Sequence, residues 1–269
     1  INGPNPAAVS IIGNDELQGW VQSGVGYKLY FAAAFDRPFA ASGVWNASGT
    51  AAGAYASFDA TREPTVTMRV AISYVSQAGA ASNLAAELPA RRSFDEVRRA
   101  ATSDWNRHLS GVTVNGGSLA SRQTFYDNLY RALLMPSVFD DADGAYLGFD
   151  GAVHRVATGH HHYTALSLWD IYRTELPLLE LIEPAVAHDV LVSLLDDADQ
   201  NHGVVPRWVQ ANIDRGIMGG DSGSAALADG AAEGLLGPAD EQRAIGDLLH
   251  QATTLPAVWP REHLDSYLK

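Results

Sequence analysis

The sequence predicts a multidomain α and β chain, with antiparallel β-sheets of a sandwich first and a helical region after them. Three observations carry this. Short apolar or alternating segments separated by turn residues fill the first 80 or so positions, with no helix-period segment between them. The spacing then changes to that of helices, beginning at Ser93-Phe94-Asp95-Glu96, which has the S-x-x-E form of a capping box. Further on, Pro184 and Pro238 stand where first-turn prolines of helices stand.

Taken in order, residues 9–12, 17–22 and 27–35 read as strands, punctuated by Gly13-Asn14-Asp15 and Gly24-Val25-Gly26. In the third, Tyr27, Leu29, Phe31, Ala33 and Phe35 share one face at period two, and Asp36-Arg37-Pro38 ends it, because proline donates nothing to a ladder. Strands are also expected at 43–46, 54–58 and 65–75, the last being the richest in β-branched residues. After the capping box, Phe94, Val97, Ala101, Trp105 and Leu109 follow at helical spacing, as in a helix connecting two domains. A brief strand is expected at 112–114. Phe125, Tyr126, Leu129, Tyr130, Leu133 and Leu134 then make a wide apolar stripe that stops at Pro136. Asp143-Gly144 and Asp150-Gly151 mark a small β excursion between helices. Helices are expected at 164–176, 184–198, 222–236 and 239–252, in a bundle or in a toroid of helical hairpins, between which periodicity does not choose. The domains are placed at 1–84, 85–118 as a helical linker, and 119–269.

Composition narrows the function. A formal charge of −13, from 31 acidic against 18 basic residues, argues against nucleic acid or an anionic membrane as partner. With no cysteine there is no disulfide, thiolate metal site or cysteine nucleophile. No run reaches the ~20 apolar residues of a membrane helix, so no membrane insertion is expected. G-x-S-x-G, P-loop and H-E-x-x-H motifs are missing, which removes the commonest esterase, NTPase and zinc-protease readings.

Residues 164–173, Thr-Ala-Leu-Ser-Leu-Trp-Asp-Ile-Tyr-Arg, bring an indole, an acid and a guanidinium together. Read as a helix, Asp170 and Arg173 pair at i,i+3, with Leu166, Trp169 and Arg173 along one side. By themselves these ten residues favour a core Trp with a structural ion pair. The other reading is a sugar subsite, with a flat apolar ring for the C–H face and a carboxylate for the hydroxyls. Residues 207–221 alternate polar and aromatic side chains before a Gly-Gly-Asp-Ser helix start, where Asp221 or Ser222 can cap. They suit a binding loop and a packed structural loop equally. Asp140, Asp141 and Asp143 precede Gly144, but with Gly144 at position six of a calcium loop Phe139 falls at position one. A solvated acidic turn is the better reading. His160-His161-His162 reads as a surface or substrate-side loop, because consecutive residues do not converge as i,i+4 ligands do.

Six motifs occur in order at 27–38, 70–84, 125–139, 143–154, 167–173 and 218–229. Together they resemble the calcium-dependent exo-α-mannosidases of glycoside hydrolase family 92. The resemblance implies an antiparallel β-sandwich followed by part of an (α/α)6 barrel, and a chain that is the central portion of a longer protein. It implies a secreted or cell-surface glycosidase acting with inversion on mannose-terminated glycans, with calcium as cofactor. The general acid, the paired base carboxylates and most calcium ligands would follow Lys269, so no catalytic or metal residue is assigned here, and this piece alone is expected to be inactive. The substrate-binding residues it implies are Trp169 and Asp170 of the Ser-Leu-Trp-Asp motif, Trp208, and Asp214 with Arg215. The family usually has Asn-Glu-Thr where Ile213-Asp214-Arg215 stands, and Met-Ile-Gly where Met218-Gly219-Gly220 stands. That departure opens the choice between an α-1,2-linked mannoside and a mannosyl phosphodiester, whose phosphate Arg215 could pair with. A non-catalytic carbohydrate-binding protein of the same fold is the rival reading, and a structural piece without activity a third.

Overall fold

The computed structural model describes residues 5–253. Strands β1 (Ala7–Ile12), β2 (Glu16–Gln22), β3 (Lys28–Phe35), β4 (Ala41–Trp45), β5 (Ser48–Gly49), β6 (Gly53–Ser57) and β7 (Met68–Ser73) come first, followed by helix α1 (Gln77–Glu87). Five strands form an antiparallel sheet in the order β5-β1-β2-β3-β7, while β4 and β6 pair separately. The period-two pattern sets what each face of the large sheet carries. On one, Ala7 and Val9 cluster with Val21, Phe31, Ala52 and Ala54. On the other, Ala32 and Ala71 pack on Ala80 and Leu84 of α1. Gly19 has no side chain because Phe31 lies across it, a Cβ there standing 2.7 Å from the ring.

Two local expectations are corrected in this region. Residues 65–75 form a strand only over Met68–Ser73. Before it, side chains take over the backbone groups: Arg37 donates to the Glu63 and Thr65 carbonyls, and the Thr67 amide donates to Asp36. After it, the Ser73 hydroxyl accepts from the amides of Val75 and Ser76. Helix α1 was not expected, since its run of small residues shows no clear apolar stripe. It forms because Ser76 caps it, accepting from the Gly79 amide at 2.9 Å, and because Asn83 donates to the Ile72 carbonyl.

Helix α2 (Phe94–Leu109) starts at the expected capping box: Ser93 N–H donates to Glu96 at 2.8 Å and Glu96 N–H to the Ser93 hydroxyl at 3.3 Å. Its stripe is not a core stripe, however. No residue of α2 is buried, and Phe94 is 69% exposed. Two compact units divide inside this helix, the first reaching Ser103 and including Asp140–Leu147 and Val153–Val156, the second comprising Asp104–Phe139, Gly148–Ala152 and the chain from Ala157.

In the second unit α3 (Leu119–Ala132) is capped by Ser118, and only Leu129 of the expected stripe is buried. No strand forms at 112–114, where the Tyr126 hydroxyl donates to the Val112 carbonyl and takes the place of a ladder partner. Strand β8 (Ser137–Val138) comes next. The β excursion is the hairpin of β9 (Ala145–Leu147) and β10 (Val153–Arg155), in the first unit. Strand β11 (Tyr163–Thr164) pairs with β8, and β12 (Leu166–Ser167) leads into the four-residue helix α4 (Leu168–Ile171). The helix expected at 164–176 is therefore corrected. Two ladders claim its start, with Ala165 at φ 63° between them, and a separate helix α5 (Glu175–Ile182) follows. Helix α6 (Pro184–Gln200) begins at its proline as expected. Then come β13 (Trp208–Gln210), β14 (Ile213–Asp214), α7 (Ser222–Ala232) and α8 (Pro238–Thr253). Helix α7 stops short of 236 because Gly234, at φ 75°, closes a Schellman end with Leu235 N–H on the Gly230 carbonyl and Gly234 N–H on that of Ala231.

The core of this unit is built around α6. Val190, Leu191, Leu194 and Leu195 pack with Leu166, Leu168, Ile171, Leu176, Val209 and Leu227. Burying each such side chain is worth about 1.5–3 kcal/mol. No helix of the described residues is long and apolar enough to cross a membrane.

Candidate functional site

The small sheet β12-β13-β14 brings the sequence-predicted site residues together. Ser167 pairs with Trp208 and Leu166 with Val209, so residues 167–170 and the 207–221 loop become neighbours. Leu168 and Ile171 point into the core at 0% and 6% exposure and fix α4. Between them, Trp169 and Asp170 face solvent, with Trp169 47% exposed. The core-Trp reading is thereby overturned. The expected Asp170–Arg173 pair is also missing: Arg173 donates to the Tyr172 hydroxyl and lies 4.9 Å over that ring. Asp170 has no hydrogen-bond or ion-pair partner among the described residues.

Asp214 is turned the other way. It accepts from three backbone amides, those of Arg207 (3.1 Å), Trp208 (3.1 Å) and Gly216 (2.9 Å), and so fixes the β13–β14 hairpin and the turn after it. Arg207 extends the clamp by donating to the Met218 carbonyl at 3.0 Å. The Arg215 amide donates to the Trp208 carbonyl, while its guanidinium has no partner among the described residues. Met218 stands at φ 66°, a backbone strain held by these bonds. Asp221 sits at the N-cap position of α7 without a side-chain capping bond, and Gln251 reaches its carboxylate instead.

Beneath this sheet lies a polar layer that the sequence reading missed. The Thr164 hydroxyl donates to the Ala211 carbonyl, and Tyr163 N–H to the Ser193 hydroxyl. His162, 2% exposed, meets Asp197, 1% exposed, at 3.2 Å. Burial pushes the Asp197 carboxyl up to about 6, and the contact with His162 pulls against that rise. The three successive histidines thus part: His162 is core, while the exposed His160 meets Asp189 at 2.7 Å. The Asp-Asp-Ala-Asp run of α6 was the available signal for Asp197, because its second acid falls on the apolar face of the helix.

The acidic turn is corrected as well. Asp141 is 5% exposed and accepts from Ser73 (2.8 Å) and Asn83 (2.8 Å). Burial raises its carboxyl above the ordinary range, against the pull of those two bonds. Asp143 instead pairs with Arg155 at 2.8 Å.

Residues 79–269 match the sequence model of the glycosyl hydrolase family 92 catalytic domain, and residues 2–73 that of the family 92 N-terminal domain. The chain belongs to glycosyl hydrolase family 92. Among solved structures, this family 92 chain is similar to the family GH92 α-mannosidase BT3965 from Bacteroides thetaiotaomicron, with a TM-score of 0.87, 27% identity, and coverage of 96% of this chain and 37% of that one. BT3965 has also been solved in complex with mannoimidazole, with a TM-score of 0.86, 27% identity and coverage of 96% and 36%. The family GH92 inverting mannosidase BT2199 from Bacteroides thetaiotaomicron VPI-5482 gives a TM-score of 0.87, 26% identity and coverage of 98% and 38%. The family 92 chain thus spans little more than a third of the length of these relatives. A search of curated protein sequences found no match.

Calcium takes six to eight oxygen ligands. Among the described residues no acidic set fits it: Asp141 and Asp143 are engaged as above, and Asp196, Asp199 and Asp240 all pair with Arg243. The convergent set of possible ligand atoms is nitrogen-rich, His160, His188 and Asp189.

Proposed function

We propose that this chain supplies the sugar-gripping wall of an exo-α-mannosidase that removes terminal mannose with inversion from glycans outside the cell or at its surface. The observation that carries the reading is the outward pair Trp169 and Asp170, one half-exposed indole beside one unpartnered carboxylate, set by the Ser167–Trp208 pairing against the 207–221 loop. The indole offers its face to the C–H side of a hexose, and Asp170 accepts from its hydroxyls. Trp208 forms a second apolar surface. Asp214 enters as the group that holds the hairpin in place. In an inverting reaction one carboxyl group protonates the leaving oxygen and another activates water across the ring, about 6.5–9.5 Å away. Those two roles, and the holding of the calcium that would bind the sugar's hydroxyls, are assigned to no described residue. The two packed sheets of the first unit suit part of a β-sandwich, and the helices of the second suit the first part of an (α/α)6 barrel. The barrel expectation over 119–269 extends past residue 253, outside the described residues.

For the substrate, Arg215 favours the mannosyl phosphodiester over the neutral α-1,2-mannoside. A guanidinium without a carboxylate partner among the described residues, on the loop that neighbours residues 167–170, is suited to a phosphate leaving group. Such a leaving group also needs less protonation, because its oxygen carries the charge readily. Kinetics of the full-length enzyme carrying Arg215→Ala, on both substrates, decide this. A loss of tenfold or more in kcat/KM on the phosphodiester, with less than twofold on the mannobiose, supports the reading, and equal losses on both refute it.

A further inference from the structure

The cluster of His160, His188 and Asp189 shares no residue with those assigned to sugar, and its chemistry is different. Asp189 is fixed on α6 with its side chain 10% exposed, and its Oδ2 accepts from the His161 amide at 3.0 Å. That bond aims Oδ1 at two imidazoles, His160 Nδ1 at 2.7 Å and His188 Nδ1 at 2.9 Å. The two rings stand 5.5 Å apart, tilted by 44°, so both nitrogens face one oxygen without stacking. The three possible ligand atoms all lie within 4.8 Å of one another.

We propose that these three residues form a binding site for a divalent transition metal of the zinc type. Two imidazole nitrogens and one carboxylate oxygen make a donor set that suits zinc, cobalt, nickel or copper and suits calcium poorly. Metal–ligand bonds of about 2.0–2.1 Å in a tetrahedron place ligands about 3.3 Å apart, so each nitrogen would withdraw from Oδ1 by about half an ångström and the two nitrogens, within 4.8 Å of each other, would settle at that same spacing. His160 is 51% and His188 32% exposed, which leaves the metal open to a water as fourth ligand. Binding requires the neutral imidazoles with the proton on Nε2, Nδ1 then presenting its lone pair to the metal. The His161 amide bond is the outer contact that orients the carboxylate, as such bonds do in metal sites. The effect is structural: the metal would clip the loop before β11 onto α6, in the stretch that leads to β12 and α4.

The test uses the full chain, purified without a polyhistidine tag, with Zn2+ and Co2+ as probes. Isothermal titration is expected to show one saturable Zn2+ equivalent, weakened at least tenfold in His160→Ala and in His188→Ala and unchanged in His161→Ala, whose side chain lies outside the set. Co2+ is expected to give the intense visible band of a four-coordinate site in the unaltered protein and to lose it in His160→Ala. Millimolar Ca2+ is expected not to displace Zn2+. Absence of saturable binding, equal affinity in the two histidine variants and the unaltered protein, or displacement of Zn2+ by Ca2+ would overturn the proposal. Circular dichroism of the exposed His160→Ala variant, expected to match the unaltered protein, keeps a loss of metal distinct from a loss of fold.

Discussion

Replacing Asp214 by alanine removes one carboxylate and leaves three backbone amides, at positions 207, 208 and 216, without their acceptor. A hydrogen bond to a charged group is worth about 1.5–3 kcal/mol, so three would sum to about 4.5–9. Asp214 and its surroundings are only partly buried, and water can reach the amides once the side chain is gone. About 3 kcal/mol is therefore the expected loss. At 2–4 °C per kcal/mol for a body of about 150–250 residues, melting should fall by about 6–12 °C. Asp214→Asn keeps one acceptor oxygen, which can still serve Trp208 and Gly216, and should fall about half as far. The assay is a thermal scan of each variant beside its Kd for mannose. Both readouts should move together, because the hairpin carries Trp208 and Arg215. A variant that melts within about 1 °C of the unaltered protein while Kd rises steeply would refute the reasoning, since Asp214 would then be binding the sugar itself.

Other expectations follow from the same geometry. Trp169→Ala should alter stability by no more than about 0.5 kcal/mol, as for exposed positions in general, yet lower affinity for mannose-terminated glycans at least tenfold; fluorescence titration with mannose checks the second and urea unfolding the first. Leu194→Ala, at 1% exposure in the centre of α6, should cost about 2–5 kcal/mol in urea unfolding. Asp247, 8% exposed and with one carboxylate oxygen unpartnered, is pushed up to about 6, chiefly by burial and then by the charge of Asp199. A raised acid binds its proton more tightly in the folded state, so its destabilising effect grows as pH rises from about 4 and is complete above about 6. Asp247→Asn should therefore stabilise by about 2–3 kcal/mol at pH 7.5 and by almost nothing at pH 4 in paired urea titrations. Destabilisation at pH 7.5 would count against that account.

Much of the fold was legible because local patterns and tertiary packing agreed. Phe31 of the period-two face of residues 27–35 packs with Ala7, Val9 and Ala52 while Ala32 on the opposite face meets α1, and Ser93 with Glu96 made the cap that their spacing requires. Where they disagreed, packing decided. Helix α1 has no apolar stripe to reveal it, and it exists through Ser76, Asn83 and the small-residue contact of Ala80 with the sheet. Residues 164–167 look helical by content and were captured by β8 and β13, partners lying 27 and 41–43 positions away by their registers, a distance that no local window spans. At the site, the sequence named Trp169 and Asp170 but paired the acid with Arg173, because i,i+3 spacing implies contact only if the helix continues. The burial of Asp141 and Asp197 was not legible for a common reason. Each is matched by a polar group distant in sequence, Ser73 and Asn83 for one and His162 for the other.

The short helix at 168–171 alternates in what it does. Leu168 and Ile171 are locked beneath the surface, and the two residues between them contribute nothing to that lock. Specificity at this spot can accordingly be rewritten by changing 169 and 170 while the scaffold stays indifferent, so a library randomised at those two codons should return mostly folded proteins that differ in the sugars they prefer.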